Sequence, residues 1–135
     1  MYEVSFLPIF VSGIVTVIIA FGWYHPKVFG SAWMRMAGIS PEAAERGKKK
    51  MPIAVAAAFF SSMLIAYVMN YFGGAWGVYD IVGAVELGAW SWLGFVAPTM
   101  LGIVLWEQKP FKLYLINALY WLVSFIAIAI TLVIL

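Results

Sequence analysis

There is no cysteine in these 135 residues and a single histidine, His25. The first absence excludes disulfides, thiolate metal sites and cysteine nucleophiles. The second leaves any metal centre dependent on acids, and Glu107 is the only acid expected near His25 outside the loop-one helix. Charge is scarce as well. Asp, Glu, Lys and Arg make up 10% of the chain, against roughly 25% in soluble domains. The N-terminal segment, the middle loop and the C-terminus have no Lys or Arg. No Ser/His/Asp set, phosphate-cradling glycine loop or paired-His motif occurs. No catalytic, cofactor-binding or metal-binding residue is therefore assigned, and no cofactor is expected.

What the chain has is hydrocarbon: 65% of residues are hydrophobic and mean hydropathy is +0.99. Four apolar runs cover about 4–24, 52–72, 80–106 and 111–135, each reaching the roughly 20 residues that cross a bilayer core as a helix. Isolated strands would leave backbone groups unpaired in lipid. The expected fold is all-α: one transmembrane domain over 1–135, a bundle of four transmembrane helices with an interfacial segment in loop one. The first run lacks a basic leader and an Ala-x-Ala site, so it reads as a retained span. All eight Lys and Arg fall in two loops: Lys27, Arg35, Arg46, Lys48, Lys49 and Lys50 in loop one, Lys109 and Lys112 in loop three. The positive-inside rule then makes both loops cytoplasmic and both termini external, in a plasma (inner) membrane. The expected partner of this charge is anionic lipid headgroups, worth about 1 kcal/mol per residue, and not nucleic acid.

Loop one is too patterned for a plain connector. Trp23, Tyr24, Phe29, Trp33, Met34 and Met36 form an aromatic and Met-rich stretch, with Pro26, Gly30 and Gly38 expected to interrupt it. Ser40-Pro41-Glu42 reads as N-cap, first-turn proline and first-turn acid of a short helix that Lys48, Lys49 and Lys50 close. On the other side, residues 73–77 read as a glycine turn with Trp76 as interface anchor. Pro98 lies inside the third run and should kink it, freeing a carbonyl near Gly94. The exits at Trp23 and Trp106 echo each other; a parallel duplication would produce this, and so would any two exits into a basic interface.

Small residues recur at helical spacing: Ala54, Ala58, Ser62 and Ala66 with Asn70 in the second run, and Ser12, Thr16 and Ala20 in the first. Asn117, Ser124 and Thr131 make a polar seam in the fourth. Such residues usually serve helix packing. Glu86 is the ionisable residue well inside a span, roughly 8 Å from the outer boundary. An acid there is a functional candidate by default, but the depth is shallow enough for a Glu to reach toward the headgroups, and an ordinary satisfied or snorkelling acid is the weightier reading. In apolar surroundings its pKa would rise and the acid could be neutral. Asn117 lies roughly 9 Å from the inner boundary, so about 13 Å separates it from Glu86 in a 30 Å core. Two polar layers are expected, both facing protein. The outer has Glu86 with Asn70, Ser12 or Thr131; the inner has Asn117 with Thr99 or the carbonyl freed by Pro98. Trp23, Phe29 and Trp33 should pack against Pro110 and Phe111 of loop three.

Two segments resemble a known family, the small membrane proteins grouped as domain of unknown function 1761. One is Trp23-Tyr24-x-Pro26-x-x-Phe29-Gly30-x-x-Trp33-Met34. The other is Trp92-Leu93-Gly94-Phe95-Val96-Ala97-Pro98-Thr99, continuing through Trp106-Glu107-x-Lys109-Pro110-Phe111-Lys112 to Asn117-Ala118. The resemblance implies a four-helix membrane fold and no particular activity. His25 and Glu86 fall outside its pattern. For function, a small oligomeric transporter or channel comes first, using Glu86 or Asn117 for polar passage and needing at least a dimer. An accessory or scaffold subunit of a larger complex comes second. A membrane enzyme is third, because no nucleophile–base pair converges.

Overall fold

The structure, a computed structural model, describes residues 4–135. Four helical stretches are long and apolar enough to cross a membrane. They are α1 (Phe6–Trp23), α4 (Met51–Ala75), a composite third span over Ile81–Leu105, and α8 (Phe111–Ile134). No strand occurs among the described residues. Loop one holds a π-helical turn (Pro26–Gly30) running directly into α2 (Ser31–Ala37), followed by α3 (Pro41–Lys49). The third span is α5 (Ile81–Ser91), a second π-helical turn (Trp92–Val96), α6 (Ala97–Met100) and α7 (Gly102–Leu105).

Local chemistry sets the helix ends. Ser40 caps α3, its hydroxyl accepting the Ala43 N–H at 3.1 Å, with Pro41 next in the first turn. This satisfies a donor that the helix itself cannot pair. Gly38 ends α2 at φ 74°, a left-handed conformation that costs glycine nothing, and Ile39 N–H closes back on Met34 O at 3.0 Å. Asp80 caps α5 through the Gly83 N–H at 2.7 Å.

One local expectation is corrected. Gly73 and Gly74 do not turn the chain; α4 runs through them to Ala75, and Gly77 at φ 69° makes the reversal. A helix end embedded in lipid keeps its backbone bonds as long as it can. Gly30, within the aromatic stretch, lies buried in the continuous helical run from Pro26 to Ala37, where a Cβ would collide with the Tyr24 carbonyl. Ahead of Pro98 the helix widens: Ala97 N–H reaches back to Trp92 O, and the Thr99 hydroxyl lies 2.9 Å from both Phe95 O and Val96 O.

The bundle is organised around α8. Half of its apolar window is buried, against 11% for α4. It packs on α1, α4 and the third span together. A close backbone approach is at Gly88 of α5, where a Cβ would lie 2.8 Å from Ile126 Cα. Ala84, Leu87, Ile128, Ala129 and Leu132 fill the core around that crossing. Both basic loops lie at one end of the bundle, tied by the Lys109 Nζ contact to Ala37 O at 3.5 Å.

Candidate functional site

Nearly two turns of α8, residues 114–120, collect bonds that join helices. Trp23 Nε1 donates to Ile116 O at 3.0 Å, and Trp92 Nε1 donates to Ala118 O at 2.7 Å. In the other direction Tyr114 donates to Ala97 O at 2.8 Å and Tyr120 to Thr16 O at 3.2 Å. A helical carbonyl has a second lone pair, so each indole or phenol is satisfied without breaking the helix ladder. Apolar surroundings make such donors expensive to leave unpaired. Asn117 belongs to the same girdle, its Oδ1 accepting the Tyr24 hydroxyl at 2.7 Å.

Loop one docks on this girdle with its aromatic rings. Trp23 packs on Phe29 with ring centroids 4.8 Å apart, and Tyr24 touches Trp33 at 5.6 Å and Tyr120 at 5.4 Å. The segment is held to the bundle. Lys109 of loop three bonds Ala37 O, and α2 packs on α8, which begins at Phe111; Pro110 is exposed and the Phe111 ring also meets Tyr114. Glu107 is exposed and has no ion pair among the described residues. His25 is exposed and accepts its own loop's Lys27 N–H at 3.1 Å.

The expected inner layer is rearranged. Asn117 pairs with Tyr24 and not with Thr99, whose hydroxyl serves its own helix. A short Thr side chain in a helix reaches the preceding turn more readily than a neighbouring helix. The outer layer does not form around Glu86. Ser12 and Thr131 are buried and bond back to Pro8 O and Ala127 O at 2.8 Å each, and Asn70 is buried on α4. Glu86 is exposed on α5, on the side opposite Ala84, Leu87, Gly88 and Ser91, which pack inward. The close crossing at Gly88 fixes the rotation of α5, and Glu86, two residues away, is turned outward. Of the small-residue row on α4, Ser62 and Ala66 are buried while Ala54 and Ala58 face out.

Two grooves mark the lipid-facing surface. One, about 360 Å³, lies between α4 and the third span, with Leu64, Met69, Phe72, Phe95 and Phe125 in its wall. The other, about 340 Å³, lies between α1 and α4 beside Phe59 and Ile14. Their walls are hydrocarbon apart from Ser91 in the first. No group of three or more His, Asp or Glu that could hold a metal occurs among the described residues. The carbonyl-directed roles of Trp92, Tyr114 and Tyr120, and the close packing of Gly88, were not anticipated. The signal for them was faint: aromatic residues recurring near the middle of apolar runs, where simple lipid contact would suffice.

No curated protein and no solved structure matches the chain. The matching family model, described as a protein of unknown function (DUF1761), covers residues 7–133. That range takes in both aromatic segments, the girdle and all but an end residue of the first and fourth spans, and the chain belongs to the DUF1761 family.

Proposed function

We propose that the protein is an accessory subunit of a larger membrane complex, seated in the plasma membrane with loops one and three in the cytoplasm. The observation that carries this reading is the disposition of polar groups. Inside the bundle, Ser12, Thr16, Thr131, Tyr114 and Tyr120 donate to helix carbonyls and Asn117 accepts from Tyr24, while the Ser62 and Ser91 hydroxyls are buried with no partner among the described residues. The grooves are hydrocarbon-walled apart from Ser91. With most of its buried polar groups so engaged, the bundle is better suited to a scaffold than to solute passage, and its aromatic girdle fits that role. Both basic loops share one end, which supports a common cytoplasmic side facing anionic headgroups.

A second reading, an oligomeric transporter or channel, draws on the exposure of Glu86. A ring of such acids between protomers would favour cations. Flux measurements separate the two. Proteoliposomes containing the protein alone are expected to leak monovalent cations no faster than empty vesicles. A protein-dependent cation flux lost in Glu86→Gln would establish the transport reading instead.

A further inference from the structure

Glu86 and its surroundings narrow the kind of partner such a subunit would take. Among the described residues, Asp80 and Glu86 are the acids of the end opposite the basic loops. Asp80 is occupied as a helix cap. Glu86 makes no hydrogen bond or ion pair among the described residues. It lies five residues into α5, about 8 Å along the axis from Ile81. Val82, Glu86 and Trp90 follow one another at helical spacing on the outward side of α5, and Leu93 in the following π-helical turn continues the row. The three apolar members are 67%, 68% and 50% exposed. An acid in the middle of such a stripe is poorly served by lipid. Glu has two methylenes, against the longer stems on which Lys and Arg reach headgroups.

We propose that the Val82–Glu86–Trp90–Leu93 stripe is a docking face for a transmembrane helix of a different protein, one carrying a Lys or Arg about two turns from its outer end. Charge complementarity selects this occupant. A second copy of the chain could not supply the cation, because all eight Lys and Arg belong to the two loops at the opposite end. Trp90, one turn deeper, offers a flat apolar contact beside the ion pair. The inference rests on the accessory reading and specifies the partner of that subunit.

The absence of cysteine makes the test direct. Tyr79→Cys, exposed at the same end and outside the stripe, is labelled with a donor dye and reconstituted in phosphatidylcholine vesicles with a designed Leu-rich transmembrane peptide carrying an acceptor dye. The peptide has one Lys two turns from each end, so either orientation presents a cation. Its association is expected to be about tenfold tighter than that of the same peptide with Leu at both sites. Glu86→Gln in the labelled protein should abolish the difference. Equal association of the Lys and Leu peptides would overturn the proposal, as would a Lys preference that survives Glu86→Gln. So would loss of the preference when phosphatidylethanolamine replaces phosphatidylcholine, which would assign Glu86 to lipid amines. Donor and acceptor copies of the protein pairing with each other through this stripe would overturn it as well. The peptide measurement reads this face alone, whereas the flux measurement reads the accessory role, so failure of one is distinguishable from failure of the other.

Discussion

Tyr24 and Asn117 are 93 residues apart in sequence and 2.7 Å apart in space. Their bond joins loop one to the central helix, where water cannot compete well for either group. Hydrogen bonds between helices in a membrane contribute about 0.6 kcal/mol on average. A double-mutant cycle of Tyr24→Phe and Asn117→Ala, read by unfolding in mixed detergent micelles, should give a coupling energy of about that size. Additive single-mutant effects would mean the two side chains do not share a bond. At the neighbouring residue, Trp23→Phe keeps a ring against Phe29 but deletes the N–H that reaches Ile116 O. A loss of about 0.5–1 kcal/mol is expected. Trp23→Leu should cost more, since it removes the ring contact too.

Between elements, the decisive contact is the α5–α8 crossing. Gly88→Ala would place a methyl group 2.8 Å from the Ile126 backbone, and backbone yields less easily than a side-chain tip. The expected destabilisation is about 1–3 kcal/mol. Gly94, in the same span, has nothing within 4 Å of an added Cβ. Gly94→Ala should therefore be neutral or slightly stabilising, since alanine favours helix. Thermal melts of the two variants in the same detergent check the contrast; equal losses would show that both report helix propensity and not the crossing. The widened turn at Trp92–Val96 also belongs to this scale. It precedes a proline that cannot donate, and Thr99 covers two of the carbonyls concerned.

For the whole molecule, the distribution of charge along the chain predicts its orientation. Reporters inserted at Gly77 or fused after Leu135 should register the outside, and a reporter within α3, at Glu45, the cytoplasm. Compartment-specific labelling of single introduced cysteines would check this, and a cytoplasmic C-terminus would reverse the assignment. Sidedness is a property of the entire loop set: Glu42, Glu45 and Glu107 share the basic end without offsetting its eight Lys and Arg.

The sequence by itself determined the number and extent of the spans, the gathering of the basic loops at one end, and the capping of α3 by Ser40. Each of these depends on residues near one another in the chain: uninterrupted apolar length, local charge, or a hydroxyl three residues before an N–H. It also marked loop one as held to the bundle, through the aromatic residues clustered from Trp23 to Trp33. Only the tertiary structure decided how each helix is rotated about its axis. A helix destined for lipid is apolar on every side, so its pattern lacks the polar stripe that orients a helix in water. Rotation was decided instead by where backbones come close, at Gly88, and by which helix carbonyls lie within reach of Trp23, Trp92, Tyr114 and Tyr120. Those partners are peptide groups, identical at every position of the chain. The sequence could therefore name Glu86 and Asn117 as polar residues within spans, but it could not show that one faces outward and the other meets Tyr24.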